Sequence, residues 1–262
     1  MDLDLTGRHA LVCGASQGIG RACAIELALL GAGVTVLARR EEALRQLADE
    51  LPRTHAAQKH GFIAADSGDT EHLRAQAEAL VAGAPVHILI NNSGGPPPGP
   101  VLGAQPDAFL DAYRKHLLAN HVLAEAVIPG MRGDGYGRIV NIISTSVKEP
   151  IQGLGVSNTT RWAVASWAKT LATELAPFGI TVNNVLPGST RTPRIEQIVQ
   201  TRAQKTLRSV EDVQRDMEAE VPIRRFAEPA EIAAAVAFLA SPAAGYITGI
   251  NLPVDGGRTR SL

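Results

Sequence analysis

The sequence has few cysteines, almost no net charge and no long apolar run, and each shortage removes a class of protein. Cys13 and Cys23 are the only cysteines among 262 residues, too few for a disulfide framework. A formal net charge of −1 gives no general attraction to nucleic acid or to an anionic membrane surface. No apolar run approaches the ~18 residues that a bilayer span requires. The short acidic start Met1-Asp2-Leu3-Asp4-Leu5 does not read as a signal peptide. Internal repeats, low-complexity tracts and a dividing linker are missing as well. The expectation is a cytoplasmic protein with no nucleic-acid or membrane partner.

Apolar residues make up 45% of the chain and charged residues 19%, enough for a sizeable core. The length suits one large α/β unit, so residues 1–262 are expected to form a single domain. Strand-length apolar runs occur at 9–13, 34–38, 61–65, 86–91, 138–143, 181–186 and 250–253. Helical spacing fills 19–30, 41–51, 70–82, 107–131, 158–176 and 228–239. The strands are continuous apolar runs, as when both faces of a sheet are covered. Such alternation predicts an α/β fold: a Rossmann-like, doubly wound parallel sheet of about seven strands with helices on both faces. Sheets of this kind bind ligands beyond the carboxyl ends of their strands, so residues just after each strand carry most weight.

The first strand runs into Gly14-Ala15-Ser16-Gln17-Gly18-Ile19-Gly20, and a helix follows at once. Glycines there permit a tight turn and bring backbone N–H groups close to a phosphate at the positive end of the helix dipole. The spacing Gly-x-x-x-Gly-Ile-Gly resembles the short-chain dehydrogenase/reductase family. Asn91-Asn92-Ser93-Gly94, the run GRIVNIIS at 137–144, the turn PGSTRT at 187–192 and the C-terminal stretches at 225–232 and 246–257 resemble it too. The likeness covers essentially the whole chain and is closest to the 3-oxoacyl-acyl-carrier-protein reductase branch. It implies cofactor contacts from Gly14, Ser16, Gln17, Gly18, Ile19 and Gly20. It also implies contacts from Asn91, Ser93 and Gly94, and from Pro187, Gly188 and Thr192 at the nicotinamide carboxamide. Cys13 stands where the family usually has Thr, which is expected to loosen the turn without abolishing binding.

The second strand ends in Ala38-Arg39-Arg40. A carboxylate there would accept from the ribose hydroxyls of NAD, whereas guanidinium groups suit a 2′-phosphate, so NADP(H) is favoured over NAD(H). The plainer alternative, that Arg39 and Arg40 only charge a helix start, is weakened because cations are unfavourable there. Asp66-Ser67 matches the family's adenine-contacting position, and Asp66 could equally cap the next helix.

The family's catalytic pattern breaks. Counting from Ser144, the family serine, places Ser157 at the tyrosine position and Arg161 at the lysine position, and His116 aligns with the family asparagine. Serine is far too weak an acid to replace a phenol, and arginine keeps its proton while it can still bind the nicotinamide ribose. His116 is the one group at a family active-site position with an ordinary pKa near neutrality, and is therefore expected as proton donor unless it merely packs in its helix. No histidine has metal-ligand spacing. Residues 189–224 correspond to the family's substrate lid and carry Arg191, Arg194, Arg202, Lys205, Arg208 and Arg215. These form either a positive face for an acidic or phosphorylated substrate or, the plainer reading, a solvated helix with interspersed charges. The resemblance also implies a small-molecule substrate and a homo-oligomer, dimer or tetramer, with Trp162 and Trp167 on partly apolar surfaces. Two functions stay open. One is an NADP-dependent reductase of a 3-oxoacyl-like carbonyl or an imine, the imine arriving already protonated. The other is an NADP(H)-binding sensor or partner subunit without efficient turnover.

Overall fold

The computed structural model describes residues 1–261. Among them the chain alternates β1 (His9–Cys13), α1 (Gly18–Leu29), β2 (Gly33–Ala38), α2 (Glu41–Glu50), β3 (His60–Ala64), α3 (Thr70–Gly83) and β4 (Ile88–Asn91). There follow α4 (Pro106–Tyr113), α5 (Ala119–Gly133), β5 (Gly137–Ile142), α6 (Gly155–Leu175) and β6 (Ile180–Pro187). The last elements are α7 (Pro193–Thr206), α8 (Val210–Ala219), α9 (Pro229–Ala240) and β7 (Asn251–Val254). The seven described strands form one sheet in the order β3-β2-β1-β4-β5-β6-β7. Every pairing is parallel. The order reverses between β1 and β4, which opens a crevice at their carboxyl ends. No helix among the described residues is long and apolar enough to cross a membrane.

The continuous apolar strands have the reason expected for a doubly covered sheet. Ala10, Val12, Ile88, Ile90 and Val140 pack with α1, α2 and α9 on one face. Their neighbours Leu11, Leu89, Ile139 and Val182 pack with α3, α5 and α6 on the other. Successive side chains of a strand point to opposite faces, so both sets must be apolar.

One expectation is corrected. Residues 107–131 are not one helix, because a π-helical turn at Arg114–Leu118 separates α4 from α5. Its wider i→i+5 hydrogen bonding inserts a residue into the helix, and the buried residue within the turn is His116. Residues 189–224 hold two helices, α7 and α8.

The second face carries a row of amides where its apolar surface ends. Asn91 Nδ2 donates to Asn141 Oδ1 at 2.9 Å, Asn141 Nδ2 to Asn184 Oδ1 at 2.9 Å, and Asn184 Nδ2 to Asn251 Oδ1 at 2.8 Å. Parallel register makes each pair direct cross-strand neighbours. The row satisfies three buried amides in turn and leaves one acceptor, Asn91 Oδ1, buried without a partner. Continuing the Val12–Ile90 register by one residue puts Cys13 level with Asn91 on the same face. A thiol is a weak donor, so the acceptor stays poorly served. Replacing Cys13 with Thr should supply a hydroxyl at nearly unchanged volume and stabilise the fold by about 1 kcal/mol. Urea unfolding of Cys13→Thr beside Cys13→Val, which has the same shape and no hydroxyl, checks this, with only the threonine variant gaining stability.

Candidate active site

The turn after β1 is built by close approach. Gly14 and Gly18 have positive φ, +60° and +58°. A Cβ on Gly20 would stand 2.3 Å from the Gly14 carbonyl oxygen, so only glycine lets α1 start this close to the strand. Asn92 Nδ2 braces the turn from β4's side, donating to the carbonyls of Cys13 and Gly14 at 3.3 Å each. Sequence reasoning missed Asn92. The signal was the doubled amide just past a strand end, but which of the two faces the turn follows only from strand register. Asn91 is the other one: it is 2% exposed and its amide nitrogen donates within the sheet.

The arginines divide their work. Arg40 lies against the turn, its Nη2 donating to Gln17 Oε1 at 2.8 Å and to Ser16 Oγ at 3.4 Å. Arg39 is more exposed, with Nη1 3.9 Å from Asp66 Oδ2. Asp66 also accepts from the Gly68 amide at 2.8 Å. The helix-cap alternative for Asp66 is corrected: Asp69 caps α3, accepting from the His72 amide at 3.0 Å. Ser67 lies half-buried beside Asp66.

A second cluster lies where β4 and β5 end. Ser93 Oγ is 2.6 Å from His116 Nδ1. Arg161, one turn after Ser157 on α6, reaches across both strand ends, donating to the carbonyls of Ile142 at 3.3 Å and Ser93 at 3.5 Å. Ser144 Oγ accepts from the Ser146 amide at 3.1 Å, and Ser157 is half-buried in the first turn of α6. Pro187 closes β6, and the Gly188 amide donates to the Val254 carbonyl at 3.0 Å. Thr192 caps the start of α7, with its methyl carbon 3.1 Å from where Gly18 would carry a Cβ. The turn at 187–192 therefore folds over the glycine turn. Ile19 opens α1, and Gly94 leads into the loop that Arg194 holds through the Pro96 carbonyl at 3.3 Å.

His116 does not keep a near-neutral pKa. It is 1% exposed, and burial together with the Arg161 and Lys115 charges pushes its pKa down to about 3. The expected imidazolium proton donor is therefore corrected to a neutral imidazole at working pH. A neutral imidazole can still polarise an oxygen through a hydrogen bond.

Four of the arginines within residues 189–224 are paired with acids. Arg191 pairs with Glu218 and Glu228, Arg202 with Glu220, Arg208 with Asp216 and Arg215 with Asp212. The mixed-charge alternative describes them. Trp167 packs inward, edge-on to His121, while Trp162 remains 50% exposed. No group of metal-ligating residues occurs among the described residues.

A family profile described as "Enoyl-(Acyl carrier protein) reductase" matches residues 14–259. The 3-oxoacyl-acyl-carrier-protein reductase FabG of Vibrio cholerae is 34% identical over 97% of this chain and 98% of its own. The L-sorbose reductase of Gluconobacter frateurii, solved with NADPH and L-sorbose, superposes with a TM-score of 0.93 at 30% identity over all of both chains. An actinorhodin polyketide ketoreductase solved with NADPH gives 0.89 at 33% identity over 97% of each chain. The chain thus belongs to the short-chain dehydrogenase/reductase family and is an oxidoreductase by type.

The buried imidazole has a consequence for acid stability. In the unfolded chain His116 titrates near 6.5. Its folded pKa is lower, so its contribution is complete above about pH 6.5 and is lost as pH falls towards 3. Between pH 6.5 and 5 wild type should lose up to about 1.4 kcal/mol per pH unit more than His116→Asn. Urea midpoints at several pH values for the two proteins measure that difference. His9, His60 and His87, whose pKa values burial also lowers, act equally in both.

Proposed function

We propose that this chain is an NADP(H)-dependent oxidoreductase that reduces a small carbonyl or imine substrate in the crevice beyond β4, β5 and β6. The observation that carries the reading is Arg40 laid against Ser16 and Gln17 on the glycine turn, where no carboxylate takes its place. A guanidinium there suits the 2′-phosphate, and backbone amides at the start of α1 suit the pyrophosphate. The residues fit the cofactor: Cβ atoms at Gly14, Gly18 and Gly20 would run into Asn92, Thr192 and the Gly14 carbonyl, so glycine is what allows the tight turn at the start of α1, and the turn at 187–192 lies against it. Bound NADPH would supply the hydride. Arg161 would hold the nicotinamide end, while Ser144 and Ser157 offer hydroxyls to the substrate and His116 polarises through the Ser93 pair. None of these is a strong acid near pH 7, so the proton comes from water or arrives on an iminium nitrogen.

The V. cholerae relative supports a 3-oxoacyl-like carbonyl as the first substrate class to assay. Residues 189–224 would close over it as a lid, anchored by Arg194. Exposed Leu110, Leu118 and Trp162 on α4, the π turn and α6 support a homo-oligomer joined through this side. A cytoplasmic location accords with two buried free cysteines. A second reading, an NADP(H)-binding sensor or partner subunit with little turnover, is favoured by one observation: His116 stays neutral throughout the working range.

Calorimetric titration tests the cofactor. NADPH should bind at least tenfold more tightly than NADH, and Arg40→Ala should lose about 1.5 kcal/mol towards NADPH while leaving NADH unchanged. Equal affinities in wild type would remove the reading. Restoring the acid tests the chemistry: Ser157→Tyr with Arg161→Lys should raise NADPH-dependent reduction of 3-oxoacyl substrates at least tenfold above wild type. Either single change should do much less, because the two groups act as a unit. A double variant that binds NADPH and gains nothing favours the second reading.

A further inference from the structure

The chain contains two buried arginines whose surroundings differ. Arg138 is 4% exposed and the better served: it donates to the carbonyls of Ser241 at 3.2 Å, Gly137 at 2.8 Å and Gly179 at 3.2 Å. Its guanidinium also lies 4.1 Å from the centre of the Tyr136 ring. Arg161 is 7% exposed and has two carbonyl contacts at the long end of the hydrogen-bond range, 3.3 and 3.5 Å. Among the described residues no carboxylate lies within ion-pair distance of it and no aromatic ring faces it. Five N–H donors are available on a guanidinium, so most are left over.

A desolvated cation without a counter-charge is costly, and the cost is relieved when an anion fills the space beside it. Arg161 bridges the carbonyls just past the ends of β4 and β5, at the floor of the crevice where a doubly wound sheet binds its ligand. Beside it lies the Ser93–His116 pair, whose backbone carbonyl at Ser93 Arg161 itself contacts, and Ser157 precedes it by one turn of α6. We infer that the substrate carries a carboxylate, which pairs with Arg161 and sets the specificity of the site.

This rests on the NADP(H) reading in one respect. Cofactor phosphates belong at the glycine turn, the reduced nicotinamide is uncharged, and the ribose hydroxyls that Arg161 would hold are neutral, so they take some of its donors and leave its charge for the substrate to balance. A single guanidinium matches one negative charge in fork geometry, which fits a carboxylate better than a doubly charged phosphate monoester.

The experiment is calorimetry in low-chloride buffer on the NADPH-loaded protein. Acetate, benzoate and phenylglyoxylate are each titrated beside their neutral amides into wild type, Arg161→Gln and Arg161→Lys. At least one acid should bind wild type tenfold or more above its amide. That ratio should drop below threefold in Arg161→Gln and fall at least threefold in Arg161→Lys, whose point charge cannot form the fork. The lysine variant decides the matter if the glutamine variant does not fold. NADPH affinity is measured separately in each protein. If NADPH fails to bind wild type, the cofactor reading falls, and the same titrations on the free protein judge the carboxylate by the same ratios. No acid preference in any pair, or a preference unchanged in both variants, overturns the inference.

Discussion

Four asparagines in register across β4, β5, β6 and β7 mark the level at which the apolar sheet stops. Buried amides tolerate that position only when each finds the next, which ties the four strands to one register. Several site residues follow within a few residues of that row. Asn92 and Ser93 come directly after Asn91, Ser144 comes three residues after Asn141, and the 187–192 turn begins three residues after Asn184. A slip of one residue in any of these strands would break the row and move its site residues to the wrong face.

The site above the row is uneven in its electrostatics. The glycine turn and Arg40 are arranged for phosphate, as in a working dinucleotide site. Between β4 and β5, however, the polar groups are hydroxyls, an imidazole kept neutral and a guanidinium kept charged. Arg161 and His116 are coupled: the buried cation helps to hold the imidazole unprotonated. The arrangement offers hydrogen bonds and positive charge but no readily released proton. On the proposed reading, a substrate reduced there would accept hydride under electrostatic assistance, with the proton delivered from outside the protein.

The lid follows a different logic. Arg191, Arg202, Arg208 and Arg215 pair with acids on or beside α7 and α8, while Arg194 holds the Pro96 carbonyl. Exposed pairs of this kind each contribute little to stability and weaken with salt.

Several features were legible in the chain itself. The alternation of strand and helix, the glycine turn and the Arg39-Arg40 pair depend on residues close in sequence, so their spacing carries them. The succession Ser144, Ser157, Arg161 was legible too, because one strand and one helix set it. The rest required the tertiary structure. Asn91 and Asn92 are indistinguishable as a dipeptide, and only strand register turns one into the sheet and the other onto the turn. The lid charges could face a substrate or each other, and helix packing decides it. His116 looks like an imidazole poised near neutrality until a π turn buries it beside Arg161. Burial and the charge of a residue 45 positions away set its protonation, and local sequence pattern reports neither.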